Sequence, residues 1–140
     1  MIARDIPYGH RLMISLGYLE CSLALIIYPI VIIGLVYSEG YIQLDRISVL
    51  IYLIFNPFLI FFGFDTLNKL RRKDIQGLEN VKTLMLINLI IIVIGLIETI
   101  SFQEFETIFF NLFALPFTIF ILIYWGAPSH KIYFESFFKN

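Results

Sequence analysis

Charged side chains are scarce in this sequence: 15% of its 140 residues are Asp, Glu, Lys or Arg, against about a quarter in a soluble globule. That leaves too little polar surface to cover a water-facing fold, so the solvent for most of the chain is lipid. Cysteine is nearly absent. Cys21 stands alone within an apolar run, which excludes an internal disulfide and a multi-cysteine metal site and leaves it as a small packing residue. The two histidines, His10 and His130, have no third ligand at useful spacing, so no metal site is expected and both read as solvated or headgroup-facing. There is no G-x-G-x-x-G, no G-x-x-x-x-G-K and no H-E-x-x-H, and no Ser or Cys stands in a nucleophile context. Neither catalysis nor a cofactor is expected. A net charge of -1 gives no electrostatic footprint for nucleic acid.

What is present is apolar sequence, 59% hydrophobic residues with a mean hydropathy of +0.87. It falls into runs long enough for four crossings of a hydrocarbon core about 30 Å thick, at about 20 residues each. The expected fold is all-α: a polytopic membrane protein with four transmembrane helices in an antiparallel bundle, forming a single domain over residues 1–140. Helices are expected over 12–37, 47–67, 81–99 and 103–125, followed by an amphipathic interfacial segment over 128–140. The first run continues through Pro29 without a small-residue cleavage site, as a retained span does and a signal peptide does not.

Residues 68–82, NKLRRKDIQGLENVK, separate two hydrophobic halves and hold half of the ten basic residues. Here Gly77 reads as the turn residue and Asn80 as the cap of the third helix. Ser101 and Glu104 have the S-x-x-E spacing of a capping box for the fourth. Pro57, inside the second helix, has no amide hydrogen, so Asn56 or a neighbouring helix must satisfy the carbonyl it frees. Every basic residue except Arg46 falls in the leader, the central segment or the tail. The positive-inside bias therefore places both termini and the central segment in the cytoplasm, in a multi-pass cell-membrane protein. Arg71, Arg72, Lys73 and Lys131 are candidate headgroup contacts.

A carboxylate inside hydrocarbon is a functional hypothesis by default, costing about 2.5 to 3.5 kcal/mol even on permissive scales. Glu20 lies roughly 10 Å below the cytoplasmic end of the first helix, counted at about 1.5 Å per residue. Asn88 lies at a similar depth on the third, and the two are expected to form an intramembrane polar pair. Thr107, Asn111, Ala114 and Thr118 follow i, i+4, i+7, i+11 on the fourth helix. With Asn56 on the second they read as a packing seam. Other faces carry phenylalanine, among them Phe55, Phe58 and Phe61, then Phe109, Phe110 and Phe113. Such rings suit membrane lipid or a protein partner.

The end of the fourth helix and the tail, YWGAPSHKIYF with Pro128, Lys131, Tyr133 and Phe134, resemble a widespread group of uncharacterised small prokaryotic membrane proteins. That group shares the length, the four helices and a closing Pro-x-x-Lys-x-Tyr-Phe pattern; its Trp-rich start of the third helix is absent here. The resemblance implies no activity, catalytic residue or ligand. The isoleucine-heavy helices suit an AT-rich, archaeal genome.

The absence of chemical motifs, the aromatic faces and the amphipathic ends point to a non-catalytic accessory subunit or assembly factor of a larger membrane complex, such as a respiratory or metal-dependent oxidoreductase. Its partners would be other membrane subunits and lipids. One alternative is a homodimeric proton-coupled transporter using Glu20, which would resemble the small multidrug-resistance pumps in size, helix count and a first-helix carboxylate. Another is an anionic-lipid-binding protein using Arg71, Arg72 and Lys73.

Overall fold

The computed structural model describes the backbone of residues 6–39, 47–101 and 105–138. It is all-α, with α1 at His10–Glu39, α2 at Ile47–Arg71, α3 at Ile75–Ser101, α4 at Phe105–Gly126 and α5 at Pro128–Phe138. Two of these are long and apolar enough to cross a membrane: α1 as far as Gly34, with mean hydropathy 2.1, and α3, with 2.4. Residues 111–126 of α4 and the adjoining 128–137 of α5, bent by 46° at their break, reach that length and apolarity only when counted as one span. Helices of this length and apolarity are the mark of a membrane protein. Residues 40–46, with Arg46, and 102–104, with Glu104 of the expected capping box, lie outside the described residues, as do the side chains of Thr107, Phe109 and Phe110.

The central polar segment is far more helical than its composition suggested. The amide of Lys73 donates to the Leu70 carbonyl at 3.1 Å and that of Asp74 to the Lys69 carbonyl at 2.9 Å, the two bonds of a Schellman motif. Lys73 takes the left-handed position, φ 63°, where glycine is usual. One residue later Asp74 caps α3, its carboxylate accepting the Gln76 amide at 2.9 Å. The turn is therefore at Lys73, and neither Gly77 nor Asn80 plays the expected part. Gly77 is buried in the first turn of α3, where a Cβ would stand 2.8 Å from the Leu70 backbone nitrogen. Its role is to let the two helices touch. Ser101 likewise belongs to the end of α3, its hydroxyl donating to the Ile97 carbonyl at 2.8 Å.

Both α2 and α4 run on as helix through their prolines. Pro57 withholds an amide from the Leu53 carbonyl four residues earlier. The Tyr28 hydroxyl of α1 donates to that carbonyl at 2.6 Å, so the neighbouring helix supplies the missing donor. Lower on the same interface Cys21 rests against Gly63, where a Cβ would meet its sulfur at 2.8 Å.

The helix backbones pack in chain order, α1 on α2, α2 on α3 and α3 on α4, with α5 folded back on α3 and α4. Among the described residues the backbones of α1 and α4 make no close approach. Among the described residues the helices stand as a row of neighbours joined across at one end. The well-packed core sits at that end: Leu67 and Leu70 of α2, Leu78 and Val81 of α3, Ile121 and Trp125 of α4, and Tyr133 and Phe134 of α5. Above it the apolar stretch of α1 buries none of its residues. His130, Tyr133 and Phe134 are buried, and α5 seals the foot of the protein.

Candidate functional site

The site is built where the start of α1 meets the ends of α2 and α4. Gly9, at φ +75°, turns the leader into α1, a backbone conformation that side chains disfavour. The Tyr124 hydroxyl donates to the Tyr8 carbonyl at 2.7 Å, fastening the leader to the end of α4. His10 is thereby set among aromatic rings. Its centroid is 5.4 Å from Trp125, 5.4 Å from Tyr133 and 5.6 Å from Phe134, each edge-on, and 5.9 Å from His130. His130 in turn lies 4.6 Å from Tyr124 and 5.0 Å from Trp125.

The histidines are therefore not solvated. His10 is 5% exposed and His130 2%; among the described residues His10 Nδ1 has no hydrogen-bond partner, and the Tyr124 backbone is the polar group beside the His130 ring. Sequence spacing missed the pair because 120 positions separate them; what brings them together is the fold-back of α5. The signal that was available is the aromatic company each keeps, Tyr8 beside one and Tyr124, Trp125, Tyr133 and Phe134 around the other. Among the described residues no three His, Cys, Asp or Glu side chains converge as metal ligands would.

Beside His10 opens a cavity of about 460 Å³. Arg11 enters it from α1, Arg71 from the last turn of α2 and Lys73 from the left-handed turn. Lys73 is held by a second contact, its ammonium 4.0 Å from the centre of the Phe137 ring on α5. Ser15, Tyr18 and Tyr133 add hydroxyls, and Ile6 and Ile14 form an apolar lip. The Tyr18 hydroxyl donates to Asn68 Oδ1 at 2.5 Å, tying α1 to α2 at the rim. Guanidinium and ammonium donors with hydroxyls and no described carboxylate in the lining suit an oxyanion.

Of the candidate headgroup contacts, Arg71 and Lys73 line this cavity, whereas Arg72 is exposed outside it. Lys131 lies on the exposed side of α5, 3.9 Å from Glu135. The expected pair of Glu20 and Asn88 does not form. The Asn88 amide donates to Thr118 Oγ1 at 3.1 Å, because α3 lies against α4 and α2, while among the described residues the backbone of α1 approaches only that of α2. Glu20 is exposed on α1. Along the contact of α3 with α4, Asn111 lies opposite Gly95 and Thr118 is buried. Ala114 and, on α2, Asn56 are half-buried, and Thr107 falls among the side chains outside the description. Arg11, Ser15 and Tyr18 are cavity residues that the sequence reading did not single out.

No protein-family model, curated protein or solved structure matches this chain.

Proposed function

We propose that this protein is a non-catalytic accessory subunit or assembly factor of a larger complex in the cell membrane, crossing four times with both termini and the basic turn in the cytoplasm. The observation that carries the reading is α1. Among the described residues its backbone approaches that of α2 alone, with side-chain contacts to α4 and α5 only near its start; its apolar stretch has no fully buried residue, and Glu20 stands at an exposed position. Lipid accepts the aliphatic part of that face, but a carboxylate in hydrocarbon is costly and calls for a polar neighbour. A partner helix with a donor opposite Glu20 meets both needs. Exposed Phe55, Phe58 and Phe61 on α2, and Phe113, Phe117 and Phe120 on α4, offer further surface of the kind enriched in stable interfaces.

Affinity purification from the native membrane in mild detergent, read by native mass spectrometry, tests this. A larger partner at fixed stoichiometry is expected, with the association weakened by Glu20→Leu. A chain that is recovered only alone or as a dimer overturns the subunit reading. The same exposed carboxylate favours a second reading, a homodimeric proton-coupled transporter with Glu20 at the dimer contact; there Glu20→Gln abolishes coupled flux while the dimer persists.

A further inference from the structure

Three cations converge on one cavity from two helices and the turn between α2 and α3: Arg11, Arg71 and Lys73. Among the described residues no carboxylate lines that cavity, and neither arginine has an acidic group within ion-pair distance. Like charges gathered without a counter-charge repel one another, and the repulsion is relieved when an anion sits between them. The volume, about 460 Å³, falls in the range of small-ligand sites. Arginine forks and hydroxyl donors together match the several acceptor oxygens of a phosphate group. The setting adds a second element. The lip is apolar at Ile6 and Ile14, and exposed Leu12, Leu16 and Leu19 continue from it along α1, so a ligand with a hydrocarbon tail has a surface to follow into the membrane.

We propose that this cavity binds a phosphate group, carried by an anionic phospholipid whose acyl chains lie along the exposed face of α1 or by a soluble phosphate ester. The proposal stands apart from the subunit reading and needs only the cavity. It is tested on the full chain in lipid nanodiscs, made either of phosphatidylcholine alone or with a minor fraction of phosphatidylglycerol, by counting the lipids retained in native mass spectrometry. Wild-type protein is expected to retain phosphatidylglycerol over phosphatidylcholine by about tenfold or more. Arg11→Gln and Arg71→Gln are each expected to reduce that preference by about tenfold, while Arg72→Gln and Lys131→Gln, outside the cavity, leave it unchanged. Titration of glycerol 3-phosphate into wild-type protein in phosphatidylcholine discs separates the sources: saturable binding assigns the site to a soluble ester, and lipid preference without it assigns the site to the headgroup. The proposal fails if wild-type protein binds neither probe, or if the Arg72 and Lys131 variants lose as much preference as the Arg11 and Arg71 variants. The wild-type measurements decide the matter even if a variant does not fold.

Discussion

At the residue scale the turn between α2 and α3 is the most constrained point of the chain. Lys73 holds a left-handed conformation, φ 63°, that costs a residue with a Cβ roughly 1 to 2 kcal/mol, offset in part by its contact with the Phe137 ring, worth about 0.5 to 1 kcal/mol. Lys73→Val, which adds β-branching and removes the cation, is expected to destabilise the protein by about 1 to 3 kcal/mol. Lys73→Gly is expected to be near neutral in the same unfolding titration in mixed micelles. At Gly77 the obstacle to a side chain is backbone, the Leu70 nitrogen 2.8 Å from where a Cβ would stand. Gly77→Ala is expected to cost about 1 to 3 kcal/mol, because the end of α2 must move to admit it. These two residues also show why the turn was illegible. The only glycine of the segment drew the turn to itself, whereas the left-handed position is held by a lysine whose compensating partner, Phe137, is remote in sequence.

At the scale of elements, α1 and α2 depend on each other through a proline. The Leu53 carbonyl that Pro57 leaves without an amide accepts the Tyr28 hydroxyl at 2.6 Å. Tyr28→Phe is expected to lower stability by about 1 to 3 kcal/mol, the cost of an unsatisfied buried acceptor. In a Pro57→Ala background, where the helix recovers its own donor, the same change is expected to cost less than about 1 kcal/mol. A double-mutant cycle by equilibrium unfolding checks the difference, and equal costs in the two backgrounds would refute the dependence. The need for a donor was legible in the sequence, since it follows from proline chemistry; its identity was not, because Tyr28 meets Leu53 only through the packing of α1 on α2. The pairing of Asn88 was missed for a related reason. Depth along the helix was the guide to its partner, but depth says nothing of which helix lies next to which, and Thr118 rather than Glu20 is the neighbour.

At the scale of the whole molecule, the buried core among the described residues lies at one end. The core around Leu70, Trp125 and Phe134 lies where the turn, α5 and the start of α1 come together. Phe134 is fully buried, and Phe134→Ala is expected to cost about 3 to 5 kcal/mol, seen as a large fall in melting temperature. Phe117→Ala, at an exposed position of α4, is expected to change melting little in detergent and, if the subunit reading holds, to weaken recovery of the partner. All-α architecture and long apolar helices were legible from composition alone. The concentration of packing at one end was not, because the tail looked amphipathic by alternation of aromatic and charged residues, and only the bend after Gly126 turns its aromatic side onto the core.

The aromatic junction also has a consequence in time. It joins His10, near the start of the chain, to residues beyond Pro128, and at roughly 5 to 20 residues per second about 6 to 24 s of synthesis separate the two. Each earlier helix docks on the one made just before it, so the row can assemble as it emerges, but its foot closes only once α5 has been made. Until then the start of the first helix has only its contacts with α2 and the end of α4, and a quality-control protease that reads the open foot would distinguish a chain that has docked α5 from one that has not.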